Sequence, residues 1–182
     1  MKTMSFIGKR RLAPAVFLLA ALVCHKPPAT AQDMPTEQSV RAAMVFNFLK
    51  FAEWPGAAGE RMNSLRLCVV SGDPQQVQAL ESLAGRQVRG VPLAVAKVGS
   101  RAGGCNVLYV DSRPRWIEAL EGGAVGKMLT ISSYSGFVRD GGMLEIGFQD
   151  GSPRFDVNLA EVRRAGLRLY PQLLQLARKV HE

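Results

Sequence analysis

Short apolar segments alternate with helical segments through the first half of the chain. Leu65–Val70 is a nearly continuous apolar run of the kind found in strands that are buried on both faces. Asp73-Pro74 then begins a predicted helix that ends at Gly85, and a second predicted strand covers 91–98. Strands that are separated by helices pair in parallel through right-handed crossovers. The pattern therefore predicts a Rossmann-like first half.

The remainder of the chain adds strands of both orientations and further helices. Pro92 lacks a backbone donor, which favours an edge position for the second strand. The turn sequence Asp150-Gly151 lies between two apolar stretches and predicts an antiparallel hairpin. The other predicted elements are strands at 106–110, 127–132, 143–149 and 154–159 and helices at 114–121, 160–165 and 171–180. We expect a single α/β domain, a mixed β-sheet flanked by helices on both faces, completed by a C-terminal β-hairpin and helix.

The first predicted helix covers 36–53 and carries apolar side chains on two of its sides. Thr36 is its expected N-cap, and it stops before Trp54-Pro55 because the residue that precedes a proline avoids helical angles. A helix that is apolar on two sides is buried between layers or covered by a partner. Phe51 and Trp54, near its end, are accordingly either anchors at a dimer or partner surface or side chains of the core.

A segment typical of a secretory signal precedes this domain. Lys9-Arg10-Arg11 stands before the apolar run 12–23, and Ala29-Thr30-Ala31 follows as an A-x-A cleavage site. The apolar run is too short to span a bilayer as a helix, which takes about 20 residues. We predict that residues 1–31 are a signal peptide cleaved after Ala31 and that residues 32–182 are an exported domain without direct membrane insertion.

The net charge of the chain is concentrated in the predicted leader. The whole chain carries +8, but five of its cations and none of its acidic residues lie within residues 1–31, which leaves +3 for the exported domain. The arginine groups at 86/89 and 163/164/168 are typical of solvated faces rather than of a dense basic stripe. Nucleic acid is therefore not an expected partner.

Two cysteines, Cys68 and Cys105, remain after the predicted cleavage. In an exported chain a single pair predicts a disulfide, and it has one possible connectivity. Cys68 lies in the first strand and Cys105 directly before the third, and in a doubly wound sheet these strands are often neighbours. The spacing of adjacent strands, about 4.8 Å, suits a disulfide. The bond is either a structural staple that contributes up to about 4 kcal/mol or a redox-sensitive switch.

The exported domain has little equipment for catalysis or metal binding. Its one histidine, His181, is the second-last residue, which disfavours a histidine-dependent triad and a zinc site of the Cys/His kind. The carboxylates Asp111, Glu145 and Asp156 have no spacing typical of paired acid–base residues. We predict no catalytic residue, no metal site and no cofactor, so an enzyme is the least favoured class.

Two polar segments are candidates for ligand binding. Ser71-Gly72-Asp73-Pro74 lies where a strand meets a helix N-terminus, a place that suits anions, but Asp73 is the expected cap of that helix. Asn158, Glu161 and Arg164 follow the last predicted strand. They are candidates for a small-ligand or partner site, with capping and surface roles as the alternative.

Several segments of the chain, taken in order, resemble blocks of the YfiR family. The opening block is AAMVFNFLKFAEWP at 42–55. Later blocks are LCVV at 67–70, GCNVL at 104–108, GGML at 141–144, RFDVNL at 154–159, GL at 166–167 and QLLQLAR at 172–178. The resemblance covers nearly the whole exported domain in consistent order, which makes it more specific than any single motif.

This resemblance implies a periplasmic α/β protein, often dimeric, that represses an inner-membrane diguanylate cyclase of the YfiN type. The repressor binds the periplasmic sensor domain of the cyclase, and its release raises cyclic di-GMP and favours biofilm formation. Cys68 and Cys105 fall on the core disulfide of the family. A second cysteine pair, which some relatives carry near the hairpin, is absent from this sequence.

We therefore expect a periplasmic, non-enzymatic repressor of a diguanylate cyclase, with a periplasmic small-molecule-binding module as the alternative. The expected partners are the sensor domain of the cyclase and a second copy of this chain. The candidate surface for a partner or ligand consists of Phe51, Trp54, Asn158, Glu161, Arg164 and Leu167.

Overall fold

The structure, a computed structural model, describes residues 34–54, 63–99, 103–123 and 125–182. Met34–Glu182 forms one unit by its internal contacts. The predicted signal peptide with its cleavage site after Ala31, and Pro55 after the first helix, lie outside the described residues.

Among the described residues, helices and strands follow one another largely as the sequence predicts. The helices are α1 (Glu37–Lys50), α2 (Pro74–Glu81), α3 (Arg113–Glu121), α4 (Leu159–Arg164) and α5 (Pro171–Leu174). The strands are β1 (Ala52–Glu53), β2 (Leu65–Val70), β3 (Gln87–Val88), β4 (Val91–Lys97), β5 (Val107–Val110), β6 (Leu129–Ser132), β7 (Leu144–Gln149), β8 (Ser152–Asn158), β9 (Arg168–Leu169) and β10 (Lys179–His181). The first predicted strand, β2, has its predicted bounds.

Within the described part of the chain, eight strands form one mixed sheet in the order β10-β8-β7-β6-β5-β2-β4-β3. The strands from β4 through β2, β5 and β6 to β7 pair in parallel, and β7 and β8 form the predicted antiparallel hairpin. β2 lies between β4 and β5, so the three strands have the predicted 2-1-3 order. The predicted α/β fold with a Rossmann-like first half is confirmed.

Helices cover both faces of this sheet. On one face, α1 and α2 pack against side chains that include Leu67 and Tyr109. On the other face, Trp116 of α3 packs with Cys68 and Leu108. Because successive side chains of a strand point to opposite faces, a strand that is covered on both sides has apolar residues at every position. This explains the continuous apolar runs that predicted the strands.

α1 begins at its predicted cap and ends earlier than predicted. The Thr36 hydroxyl accepts a hydrogen bond from the Ser39 amide at 3.2 Å, which satisfies one free N–H group of the first turn. The helix ends at Lys50, and Ala52–Glu53 instead pairs with β9 in an antiparallel ribbon. The predicted extension to Glu53 is wrong because the pairing partner comes from the opposite end of the chain, where local sequence patterns do not reveal it.

The prediction of a final helix over 171–180 is also wrong. α5 ends at Leu174, and Lys179–His181 forms β10, an edge strand parallel to β8. Leu176, which a continuous helix would turn inward, is 70% exposed. The apolar spacing fits a helix, but the open edge of β8 offers backbone donors and acceptors that a strand satisfies.

The second predicted strand lies one place inside the sheet rather than at its edge. β3 joins β4 through a turn at Arg89 and Gly90, whose φ angles of 52° and 82° are both positive. Turns of this handedness match the twist of antiparallel strands. Pro92 pairs with Gln87 in this short ribbon. The predicted edge position is therefore wrong, because the two-residue strand β3 lies outside β4.

Candidate functional site

The predicted residues Phe51 and Trp54 attach the end of α1 to the rest of the domain. The Phe51 carbonyl accepts a hydrogen bond from the Tyr170 amide at 2.9 Å, and the Phe51 side chain is partly buried against the core. Trp54 is 9% exposed, and its indole N–H donates to the Asn106 carbonyl at 3.0 Å. Both residues therefore have packing roles, and their contribution to a partner surface stays a prediction.

An ion-pair cluster that the sequence analysis missed lies beside them. The Glu53 carboxylate accepts hydrogen bonds from the Tyr170 hydroxyl at 2.8 Å and from the Arg89 guanidinium at 3.2 Å. The Tyr170 hydrogen bond, together with that from Arg89, lowers the pKa of Glu53, and the carboxylate raises the pKa of Tyr170. The three residues come from distant segments of the chain, so no local sequence motif predicts the cluster.

Asn158 is the N-cap of α4. Its side-chain oxygen accepts a hydrogen bond from the Glu161 amide at 3.1 Å, and its side-chain nitrogen donates to the Val138 carbonyl at 3.0 Å. Asn158 thus has the capping role that the sequence analysis kept as an alternative. Leu167 is almost fully buried in the core. A partner role for these two residues stays a prediction.

Glu161 and Arg164, by contrast, line a cavity between α3 and α4. The cavity has a volume of about 310 Å³ and a mostly apolar wall, to which Trp116, Leu120 and Met143 contribute. Arg164 forms an ion pair with Glu161, and its side chain is 70% exposed. A volume of this size lies within the range of small-molecule sites and also admits a large apolar side chain.

At and beside this cavity, α3 carries apolar side chains that reach solvent. Leu120 is 47% exposed and Ile117 is 40% exposed, and residues with this spacing lie on one side of a helix. Trp116 lies on the inward side, where its ring contacts Phe137 with a centroid distance of 4.9 Å. We refer to the cavity together with Ile117, Leu120, Glu161 and Arg164 as the α3–α4 groove.

The carboxyl ends of β2 and β5 lie where the strand order reverses, a frequent ligand position in open α/β sheets. Here the Asp111 carboxylate accepts hydrogen bonds from the Gly72 amide at 2.7 Å, the Ser71 hydroxyl at 2.8 Å and the Arg115 guanidinium at 3.0 Å. Burial by itself raises the pKa of Asp111, but these hydrogen bonds and the charge of Arg115 outweigh it and lower the pKa overall. The carboxylate therefore holds two strand ends together.

The other acidic residues that the sequence singled out also have protein partners. Asp73 caps α2 as predicted and accepts hydrogen bonds from two amides of its first turn, at 2.9 and 3.3 Å. Glu145 accepts a hydrogen bond from the Val138 amide at 3.2 Å, and Asp156 accepts two from Arg178. In the ranges that the structure describes, no group of three His, Cys, Asp or Glu side chains is placed to hold a metal ion.

The predicted disulfide between Cys68 and Cys105 is present. It joins β2 to the segment before β5, and the two Cα atoms are 5.9 Å apart. Cys68 is fully buried, and Cys105 is partly buried against the α3 side of the core. A buried bond is hard for a reductant to reach, which favours the structural reading over the switch.

The sequence profile of YfiR/HmsC-like proteins matches residues 38–178. Because the match covers most of the chain, this protein belongs to the YfiR/HmsC-like family. At the level of the family, these are periplasmic proteins that regulate diguanylate cyclases rather than catalysts. Among the described residues, no helix is both long enough and apolar enough to span a bilayer.

Two solved structures share the fold. A conserved domain protein from Vibrio cholerae O1 biovar El Tor str. N16961 is 12% identical, with a TM-score of 0.53 over 80% of this chain and 60% of its own. The ABC domain in complex with L-Trp from Streptococcus pneumonia is 10% identical, with a TM-score of 0.54 over 76% of this chain and 60% of its own. This chain thus spans about 60% of the length of both proteins, and at these identities the likeness shows the fold alone.

Proposed function

We propose that this protein represses an inner-membrane diguanylate cyclase by binding the periplasmic sensor domain of that enzyme. Membership of the YfiR/HmsC-like family is the observation that carries the proposal. A repressor of this kind binds the inactive conformation of the sensor more tightly than the active one, since a ligand shifts an equilibrium only by its difference in affinity. Loss of the repressor then raises cyclic di-GMP and promotes biofilm formation.

The proposal includes export and a second copy of the chain as a partner. The basic, apolar and A-x-A segments of residues 1–31 support cleavage after Ala31 and a periplasmic mature protein. We propose that the mature protein forms a homodimer, as the family resemblance implies.

The proposed action is non-enzymatic. Asp111 and Asp156 are two of the acidic residues that an enzymatic function would use. Their carboxylates accept structural hydrogen bonds from Gly72 and Arg178 respectively. A carboxylate with such partners stabilises the fold, because its removal leaves the donor groups without a hydrogen-bond acceptor. These contacts support a stabilising role for the two carboxylates over acid–base catalysis.

The α3–α4 groove is the surface that we propose for binding the partner. Of the predicted surface residues, Glu161 and Arg164 lie at this groove, where exposed charge meets exposed apolar surface. Exposed apolar side chains next to exposed charged ones suit a protein interaction site. Phe51, Trp54, Asn158 and Leu167 support the proposal less, because each has a structural role in the described chain.

The test combines deletion with capture. Deletion of the gene is expected to raise cellular cyclic di-GMP, and the tagged mature protein is expected to retain a full-length membrane diguanylate cyclase from solubilised membranes. Re-expression of the unaltered chain restores the low level and serves as the control. Unchanged cyclic di-GMP in the deletion strain, together with no captured cyclase, would contradict the proposed function.

The cavity supports a second candidate, a periplasmic small-molecule-binding module. Its volume of about 310 Å³ and its mostly apolar wall, to which Glu161 and Arg164 add polar groups, are typical of a site for a small amphipathic molecule. The similar streptococcal domain is in complex with L-Trp, so amino acids are the first ligands to try, followed by nucleotides. Thermal shifts with these compounds test the candidate, and a tight ligand without a protein partner would favour it over repression.

A further inference from the structure

Two polar side-chain atoms are buried without a partner where α1 and α2 pack together. Within the described part of the chain, these atoms are Nε of Arg41 and Oε1 of Gln76. Gln76 is only 1% exposed, so bulk solvent does not reach its side chain. A buried polar atom without a hydrogen bond is costly, and in folded proteins such atoms normally have a partner. One donor and one acceptor are therefore available here to a bound group.

Both side chains lie beside the same turn of α1. The side-chain nitrogen of Gln76 donates to the Gln38 backbone carbonyl at 3.4 Å, and Arg41 lies one turn beyond Gln38 on the same helix. The pKa of Asp73, the N-cap of α2, is lowered chiefly by a hydrogen bond from the Gln38 side chain and also by the positive charge of Arg41. We refer to Gln38, Arg41, Asp73 and Gln76 as the α1–α2 junction.

The junction lies at the carboxyl edge of the parallel strands. α2 begins shortly after the end of β2, next to β5, where the strand order reverses. Ligands of open α/β sheets frequently bind outside the strand ends at such a point. On the same face, the buried Tyr109 of β5 carries a hydroxyl group that donates to the Ser133 hydroxyl at 2.9 Å. The junction therefore occupies a position that suits a ligand in this fold.

The charges of the junction already have partners, which restricts the chemistry of the bound group. Arg41 donates to the Glu37 carboxylate at 2.7 Å, and the Asp73 carboxylate accepts from Gln38 at 3.3 Å and from two amides of α2. A further buried charge would have no counter-charge, so a neutral group is favoured. Nε of Arg41 only donates and Oε1 of Gln76 only accepts, whereas a hydroxyl group can accept and donate at once.

We infer that a neutral hydroxyl oxygen bridges Arg41 and Gln76 at the α1–α2 junction, accepting a hydrogen bond from Nε and donating one to Oε1. An internal water molecule and the hydroxyl group of a small ligand supply the same chemistry. In either case the bound oxygen links α1 to α2 at the carboxyl edge of the sheet. This inference goes beyond the proposed function and does not depend on the cyclase.

A crystal structure of the mature protein at a resolution that shows ordered water tests the site directly. We expect an oxygen atom within about 3 Å of both Nε of Arg41 and Oε1 of Gln76. Native mass spectrometry before and after unfolding and refolding then distinguishes the two sources. An unchanged mass assigns the oxygen to water, and an added mass that refolding removes assigns it to a ligand. A direct hydrogen bond between the two side chains, with no atom between them, would overturn the inference.

A double-mutant cycle tests the bridge in solution. Arg41→Lys removes the Nε donor and keeps the positive charge, and Gln76→Met removes the acceptor. Urea unfolding gives the unfolding equilibrium constant of each variant. Because one oxygen joins the two groups, we expect the double variant to be less destabilised, by about five-fold, than the product of the two single effects. The hydrogen bond from Gln76 to Gln38 is lost in both the single and the double variant, so its loss cancels in the cycle.

The matched control replaces an exposed glutamine of the same helix. Gln78→Met combined with Arg41→Lys is expected to give the product of its single effects, because Gln78 faces solvent on α2. Equal behaviour of the Gln76 and Gln78 cycles would show that Arg41 and Gln76 act independently, which would overturn the inference. If a junction variant fails to fold, the crystal structure of the unaltered protein decides alone.

Discussion

Arg178 donates two hydrogen bonds to the carboxylate of Asp156, from Nε at 2.8 Å and from Nη2 at 2.6 Å. Asp156 is almost fully buried on β8, and Arg178 precedes β10, the strand that replaces the end of the predicted final helix. The hydrogen bonds from Arg178 and the charge of the carboxylate raise the pKa of Arg178. The pair thus attaches the residue that directly precedes β10 to β8.

Replacing Arg178 by methionine is expected to lower the free energy of unfolding by about 3 kcal/mol. The reason is that the substitution leaves the Asp156 carboxylate buried without its cation, which costs more than the pair contributes. Urea unfolding followed by circular dichroism measures the loss. Arg154→Met, at an exposed arginine on β8, the strand that carries Asp156, is the control, and an equal loss in both variants would contradict a specific role for Arg178.

Gly142→Ala is expected to destabilise the domain by about 2 kcal/mol or more, because the added Cβ would overlap the ring of Phe137. Phe137 is fully buried and contacts Trp116 beneath α3, so the ring has no free space to move into. Gly147→Ala is the matched control, since a Cβ at Gly147 meets open space. Thermal unfolding compares the two, and similar melting temperatures would show that the ring moves aside.

Asp111→Asn is expected to weaken the fold at neutral pH by about 1–2 kcal/mol. The pKa of Asp111 is lowered in the folded protein, so its contribution is fully present above the unfolded value of about 3.9 and is lost as the pH falls through the folded value. The difference in unfolding free energy between the unaltered protein and the variant should therefore shrink below about pH 4. Urea titrations at several pH values measure it, with the exposed Glu118→Gln as control. A difference that does not change with pH would contradict the assignment.

Removing the disulfide by the double substitution Cys68→Ala and Cys105→Ala is expected to cost about 4 kcal/mol, the chain-entropy value for a separation of 37 residues. Because Cys68 is fully buried, dithiothreitol should leave the bond intact in the folded protein and reduce it only near the unfolding transition. Thiol titration at increasing urea concentration measures this. Rapid reduction of the folded protein would favour the redox switch instead.

Trp54→Phe is expected to lower the free energy of unfolding by about 1 kcal/mol, because the hydrogen bond from the indole N–H to the Asn106 carbonyl is lost. Trp54 is 9% exposed, so binding of the cyclase should change little. Denaturant unfolding measures the stability, and binding to the full-length cyclase in lipid nanodiscs measures the affinity for the partner. Strong loss of binding without loss of stability would restore Trp54 as an anchor at the partner surface.

The candidate site was only partly accessible from the sequence. The sequence indicates Glu161 and Arg164 by their position after the last predicted strand, and both line the α3–α4 groove. It does not indicate Ile117 and Leu120, because an apolar residue on a predicted helix is normally assigned to the core. Only the packing of α3 beside α4 shows that these two side chains remain in solvent.

Local patterns determined much of this protein: the buried strand Leu65–Val70, the Thr36 cap and the Asp150-Gly151 turn follow from residues near one another in the chain, and the family follows from short blocks in consistent order along it. The tertiary structure decided the rest. Ala52–Glu53 and Lys179–His181 are strands because β9 and β8 offer them backbone partners, although their own spacing favours a helix. The physical reason is that side-chain periodicity is recorded in neighbouring residues, whereas an unpaired sheet edge or a groove exists only after distant segments have packed.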